Sequence, residues 1–508
     1  MNILYIPLDE RPCNYEYPKM IGALQKEVNF IAPPKSLLNK KKESADIELL
    51  WDWIFDHATE ADIAIVSVEM LVYGGLLPSR LHQDSVDTLL ERLNRLKILK
   101  ERNPKLNIYA SNLIMRTPHY DSSEEEPDYY ADFGEAIFKW AWFNDKKERE
   151  GLSGEEQSEL DSITEKLPEA HLADYSQRRE KNVVVNVAVV DLVKEGTIEF
   201  LSIPQDDSAP YGFTAIDQKK VIKHIIGNRL QSKVHMYPGA DEVGCTLLAR
   251  AFVEAKPCRP KVYVMFSSVN SEQIIPMYED RPLAESLKAH ILASGALWVD
   301  DPKEASFILA VNTAGKVMME SWDQDEKDVT YSSFRNLRFF VDKIKNFQKR
   351  GYKVAVADVA FANGGETELV HMLDEARAFD DLIAYASWNT NCNTTGTVLA
   401  TSILGYTSDL KEELTYNKVY HLLEDWIYQG VIRMDMVKNY LPTIDTSYYI
   451  FNGKDKEIHQ EMERRLREEW AKNILYSFKE VEIEQLGVYT PWNRMFEIGL
   501  DLDLNYKI

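Results

Sequence analysis

The sequence predicts an α/β protein: tandem doubly wound, mostly parallel sheets with a helical C-terminal region. Three observations predict it. Short apolar, β-branched runs alternate with longer segments of helical periodicity along most of the chain. Such alternation implies parallel strands with helices on both faces. About eleven candidate strands and a proline-marked break near residue 258 favour two sheets over the alternative, a (β/α)8 barrel with additions.

In residues 1–258, strands are expected at Asn2–Leu8, Phe30–Ala32, Asp62–Val68, Asn107–Ile114, Glu199–Ile203 and Lys233–Tyr237. Helices are expected at Glu16–Lys26, Ala45–His57, Asp84–Arg102, Ile216–Asn228 and Val243–Ala255. Asp84–Arg102 is the clearest, with Leu89, Leu93, Leu96 and Leu99 at helical spacing. A charged, helical insertion near 121–195 interrupts the rhythm. Its end, KNVVVNVAVVDLV, has the valine content of a strand. RREKN leads into it without a turn signal, and Gly196 suits a helix C-cap, so it reads as the end of a helix from about Pro168. Pro257 and Pro260 punctuate the break.

In residues 259–405 the rhythm resumes, with strands at Lys261–Phe266, Leu297–Val299, Phe307–Val311, Lys353–Ala357 and Leu382–Ala386. Helices fall at Leu283–Ser294, Phe334–Arg350 and Thr367–Ala378. Residues 406–508 are mainly helical and end in a hairpin near Val481–Leu500.

Composition narrows the function. The 508 residues are 45% hydrophobic and carry a formal net charge of -23. That excess of acid repels phosphate backbones, so no nucleic-acid partner is expected. No apolar run approaches the ~20 residues of a membrane span. The opening MNILYIPLDERPCN lacks the basic and apolar regions of a signal peptide, and a cytoplasmic location is expected. The four cysteines form no CxxC pair, the ten histidines no HxH or HExxH, and neither GxxxxGK[ST], GxGxxG nor GxSxG occurs. No cofactor is predicted, although carboxylates leave a divalent cation open. Sequence leaves the oligomeric state undefined.

The chemistry gathers after the strands, where open α/β sheets bind ligands. Asp9, Glu10, Arg11 and Asn14 follow the first strand. Glu69, with Gly74 and Gly75, follows the third. Asn112, Arg116 and His119 follow the fourth. Asp206 and Asp207 come next. Side chains on extended backbone alternate, so these two are expected to point apart. Asp241 and Glu242 sit at a strand-to-helix junction, where an N-cap role competes with a catalytic one. Later strands end in Asn312, in Asp358 with Asn363, and in Trp388, Asn389, Asn391 and Asn393. Asparagines offer uncharged donors and acceptors to a neutral polar ligand, and tryptophan a flat face for a sugar ring.

Two resemblances add to this reading. Gly239-Ala240-Asp241-Glu242-Val243 looks like the catalytic signature of the β-N-acetylhexosaminidases. By that resemblance Glu242 would protonate the leaving group, and Asp241 would orient the acetamido group. The segments PLDERPCN, PQDDSAPYG, YPGADEVG, AYASWNTNCNTTGT and PWNRMFEIG together resemble, over the whole chain, the bacterial domain of unknown function 4127 family. Cys392 departs from the glycine usual in that family. The resemblance implies no activity.

The expectation is a hydrolase acting on a small, polar, carbohydrate-like substrate. It would use carboxylate acid–base chemistry drawn from Asp9, Glu10, Asp206, Asp207, Asp241 and Glu242, with Glu242 as the acid and Asp241, Asp206 or Asp9 as its partner. Arg11, Asn14, Glu69, Asn112, Arg116, Asn312, Asp358, Asn363, Trp388, Asn389, Asn391 and Asn393 would bind the substrate. A metal-dependent hydrolase or lyase with Asp/Glu ligands and a non-catalytic small-ligand binding protein are the alternatives.

Overall fold

A computed structural model describes residues 1–507. The chain divides into two compact units. Unit 1 comprises residues 1–10, 28–247 and 278–280; unit 2 comprises 11–27, 248–277 and 281–508. Neither contains a closed barrel; each is built on an open parallel sheet.

Unit 1 holds β1 (Asn2–Ile6), β2 (Asn29–Ile31), β3 (Ile63–Ser67), β4 (Asn107–Ser111), β5 (Phe200–Gln205) and β6 (Val234–Pro238). Their order is β2-β1-β3-β4-β5-β6, all parallel. The chain reverses direction across the sheet between β1 and β3, which makes their carboxyl ends the topological switch point. Strand β3 (IAIVS) is buried along its whole length, as an apolar strand covered on both faces must be. The helix Val86–Arg102 buries Leu89, Leu93, Leu96 and Leu99 and is capped by Ser85, whose Oγ accepts the Thr88 amide.

The valine-rich segment is helical. It ends a helix over Glu169–Lys194 that packs between Val86–Arg102 and Phe213–Gly227 and buries Val185, Val189, Val190 and Val193. Gly196, at φ 81°, follows its end. Tertiary packing outweighs the strand preference of valine here.

Unit 2 holds β7 (Lys261–Phe266), β8 (Leu297–Trp298), β9 (Phe307–Thr313), β10 (Met319–Glu320), β11 (Val354–Val359), β12 (Phe361–Ala362) and β13 (Leu382–Ala386). The main sheet runs β13-β11-β9-β7-β8, and β10 pairs with β12. Its switch point lies between β7 and β9. Ser267 and Ser271 fill it: Ser267 Oγ accepts the Thr313 amide at 3.0 Å, and Ser271 Oγ lies 2.5 Å from Thr313 Oγ1. Beyond residue 405 come helices, then an antiparallel hairpin of β14 (Val481–Tyr489) and β15 (Gly499–Tyr506).

Candidate functional site

In unit 1 the strand ends carry a network of ions. Arg80, on the helix Leu76–Leu81, reaches Asp206 at 2.6 Å, Glu125 at 3.1 Å and Glu126 at 3.4 Å. Arg116, beyond β4, reaches Glu125 at 2.8 Å, Glu126 at 2.9 Å and Asp207 at 3.3 Å. Two guanidiniums therefore hold four carboxyl groups.

The expectation that Asp206 and Asp207 point apart fails. Asp207 adopts a left-handed backbone, φ 44°, so the alternation of an extended segment does not apply, and both acids join the same network. Burial raises the Asp206 carboxyl; Arg80 draws it down and Asp207 raises it again, with a net upward shift. Burial draws the Arg80 guanidinium down, but Asp206, Glu126 and Glu125 more than restore it. The Asp206 and Asp207 side chains keep 12% and 27% of their exposure, so both remain reachable by solvent.

Beside this network Glu69 accepts from Asn112 Nδ2 at 2.8 Å, the Leu113 amide at 2.7 Å and Ser67 Oγ at 2.9 Å. Asn186 Nδ2 donates to Asn112 Oδ1 at 2.6 Å. A cavity of about 10 Å³, room for one water, is lined by Glu69, Arg80, Asn112, Asn182, Asn186 and Asp206 among others. Glu69, Asn112 and Asp206 thus share one small cavity.

The other acids of unit 1 lie differently. Asp9 is fully buried, and Glu10 Oε1 accepts the Lys41 amide at 2.8 Å. Asp241 and Glu242 are buried at 7% and 1% exposure. Glu242 folds back on its own loop: Oε2 accepts the Ala240 amide at 2.9 Å, and its carbonyl accepts the Thr246 amide at the start of the helix Val243–Glu254. The carboxylate leaves no room for a Cβ at Gly239. His119 is exposed against Tyr120 and Phe138, outside the network.

In unit 2 a second network spans the ends of β9, β11 and β13. Asn312 Nδ2 donates to Asp358 Oδ1 and to Glu366 Oε2, both at 2.8 Å. Arg335 grips both oxygens of Glu366. The Glu366 amide and the Tyr385 hydroxyl donate to Asp358 Oδ2 at 2.7 and 3.2 Å. Burial, and after it the charge of Glu366, raises the Asp358 carboxyl to about 6. Asn363 and Asn389 are both left-handed, and the Asn363 amide donates to the Asn389 carbonyl at 2.7 Å, tying two loops together.

The Asn/Thr-rich segment is a helix start rather than a loop. The helix Asn391–Gly405 already contains Asn391, Cys392 and Asn393, all buried. A helical first turn needs no glycine, which accommodates Cys392. Trp388 is 2% exposed and donates its indole N–H to Glu424 Oε1 at 3.2 Å, so its ring packs inside the unit instead of offering an open face. Arg11 caps the short helix Pro12–Tyr15, pairs with Glu497 at 3.4 Å and lies over Trp492 at 4.4 Å. Asn14, in that helix, is buried.

Sequence reasoning missed Arg80, Glu125, Glu126, Arg335, Glu366 and the acids Glu424 and Asp425 as site residues. One signal was available: LLEDWIYQGVI sets two acids in an otherwise apolar run. Among the described residues, no group of three or more His, Cys, Asp or Glu side chains is placed to hold a metal ion. No helix of the described chain is long and apolar enough to cross a membrane.

Two open parallel sheets, each with polar networks beyond its strand ends, define a tandem doubly wound α/β protein. Within that class the chain belongs to the family described as Protein of unknown function (DUF4127), whose model matches residues 3–501. No curated protein matches it.

Proposed function

We propose that the chain is a cytoplasmic hydrolase acting on a small, polar, carbohydrate-like substrate by carboxylate acid–base chemistry, with Asp206 as the acid. The observation that carries this reading is the network of Arg80 and Arg116 with Glu125, Glu126, Asp206 and Asp207. Four carboxyls against two fixed cations favour keeping a proton on one of them. Burial and the neighbouring Asp207 direct that proton to Asp206. Asp207, held by Arg116 at 3.3 Å and more exposed, would serve as base or charge stabiliser. Glycoside cleavage asks for such a pair, one carboxyl protonated and one not. In this reading Glu242 shapes its loop, because its carboxylate is engaged by the Ala240 amide.

The test is hydrolysis of chromogenic glycosides, N-acetylhexosaminides included, by wild type, Asp206→Asn and Glu242→Gln, each with and without EDTA. Expected are metal-independent turnover, a loss on the order of 100-fold or more in Asp206→Asn, and a change within about 10-fold in Glu242→Gln. Full activity in Asp206→Asn sinks the assignment, and a Glu242→Gln loss of that size transfers the acid role to Glu242. Turnover abolished by EDTA replaces the reading with metal-assisted hydrolysis on Asp/Glu ligands. No turnover on any sugar leaves small-ligand binding as the better account.

A further inference from the structure

The helix Leu422–Ile432 in unit 2 is wound wider than an α-helix, with π-type hydrogen bonding. Such turns recur at functional sites. Glu424 and Gln429 lie on it, and Arg433 directly follows it. Gln429 Nε2 donates to Glu424 Oε1 at 2.9 Å and to the Phe496 carbonyl at 2.8 Å. Arg433 Nη1 donates to the same carbonyl at 3.2 Å. The connection 490–498 between β14 and β15, which holds all of the PWNRMFEIG motif but its final glycine, covers these residues. Tyr428 Oη donates to the Met495 carbonyl at 2.6 Å, and Trp492 and Asn493 are successive left-handed residues at φ 59° and 49°.

Four polar atoms on the covered face are buried without a hydrogen-bond partner: Glu424 Oε2, Gln429 Oε1, and Nε and Nη2 of Arg433. The three residues are 0%, 2% and 1% exposed. The Arg433 guanidinium lies over the Trp322 ring at 4.9 Å and the Phe496 ring at 5.6 Å, with no carboxylate partner among the described residues. A buried cation without an anion is costly. Nε and Nη2 form one edge of the guanidinium, the edge whose spacing matches the two oxygens of a carboxylate.

The neighbouring atoms narrow the ligand further. Burial, and after it the charge of Asp425, raises the Glu424 carboxyl well above the usual range, which favours its protonated form. Its Oε1 already accepts from Trp388 and Gln429. In the protonated form of Glu424, Oε2 can act as a donor, while Gln429 Oε1 is an acceptor. A donor and an acceptor side by side suit a hydroxyl group.

We propose that this face of the wide helix, closed by residues 490–498, binds a small hydroxycarboxylate such as a sugar acid. The carboxylate takes the Nε–Nη2 edge of Arg433. A hydroxyl of the ligand donates to Gln429 Oε1 and accepts from Glu424 Oε2. The inference does not rest on the hydrolase reading, because it concerns other residues and is read by binding alone.

Isothermal titration calorimetry of the full chain at pH 7 tests it, with glucuronate, glucose and inorganic phosphate as probes. Wild type is expected to bind glucuronate at least tenfold more tightly than glucose or phosphate. Arg433→Met and Arg433→Lys are each expected to weaken glucuronate at least tenfold. Circular dichroism reports whether each variant folds. Arg433→Lys keeps the charge and loses the planar edge, so it decides the matter if Arg433→Met misfolds. Equal glucuronate affinity in a folded variant overturns the proposal. So does a wild type that does not prefer glucuronate to glucose, which would leave the open edge to buried water.

Discussion

Glu69 Oε1 accepts two donors from consecutive residues, the Asn112 side chain at 2.8 Å and the Leu113 amide at 2.7 Å. An acid in the first turn of the helix Val68–Tyr73 thus completes the backbone beyond β4, which ends at Ser111. Glu69→Ala strands both buried donors and is expected to destabilise the protein by about 2–4 kcal/mol. Glu69→Gln keeps Oε1 as an acceptor and is expected to cost about 1 kcal/mol or less. Urea unfolding of both variants checks this. Equal losses would show that the carboxylate's charge or its second oxygen, which accepts from Ser67 Oγ, is what Glu69 supplies, and not the Oε1 acceptor alone.

Arg80 and Asp206 meet at 2.6 Å, and Arg80 also serves Glu125 and Glu126. Arg80→Met leaves those carboxylates facing one another in a buried setting and is expected to cost about 3–5 kcal/mol. In an Asp206→Asn background the acid that Arg80 meets most closely is already gone, so the same change should cost less by about 1 kcal/mol or more. A double-mutant cycle by denaturant unfolding measures the difference. Simple additivity would mean that the two residues do not share a network in solution.

The sequence made the sheets legible because apolar runs of strand length, buried on both faces, leave little else to be. β7 and β13 fall at the residues expected, and the valine-rich helix follows from the missing turn before it and the glycine after it. The strand ends were legible as places, and less so as partnerships. Asp206 and Asp207 were noticed, but the left-handed turn that brings them into one network leaves no mark in the sequence. Arg80 reaches Asp206 across 126 positions, and Arg335 reaches Glu366 across 31, distances at which local patterning carries no information. Asn favours turns, so local propensity argues against a helix over Asn391 and Asn393. The helix begins at Asn391 all the same, and inside its first turn Asn393 Nδ2 reaches Thr390 Oγ1 at 3.1 Å and Asn391 Oδ1 accepts from Thr395 Oγ1 at 3.4 Å.

Asp358 predicts a particular pH dependence. Its folded carboxyl titrates near 6 against an ordinary 3.8, with burial the first cause and Glu366 the second. Below pH 3.8 the group is protonated in both the folded and unfolded states and costs nothing. As pH rises toward 6 the unfolded chain ionises first, so stability falls, by about 3 kcal/mol once pH exceeds the folded value. Asp358→Asn removes that titration while keeping an acceptor for the Glu366 amide. The stability of Asp358→Asn relative to wild type is therefore expected to improve between about pH 4.5 and 7. Urea midpoints across that range check it, and a flat difference would mean that Asp358 ionises without penalty.

Lys418 predicts the opposite slope at alkaline pH. It is 2% exposed, and its ammonium donates to the Phe379 and Leu382 carbonyls at 2.7 and 2.8 Å. Burial lowers it from 10.5 to about 8, with Asp380 and Asp381 opposing the shift. Below pH 8 the ammonium is charged in both states, and the folded protein bears the full cost of burying it, about 3 kcal/mol. Between about 8 and 10.5 the unfolded chain holds the proton and the folded chain has lost it, so stability rises with pH. Lys418→Met has no such titration, although it also gives up two hydrogen bonds. Wild type is expected to gain on Lys418→Met by about 1–3 kcal/mol as pH is raised from 7.5 to 10. The readout is the difference between the two proteins, since titrating tyrosines and other lysines affect both alike. A difference that stays constant over that range would show that the ammonium keeps its ordinary pKa when folded, with the two carbonyls compensating for its burial.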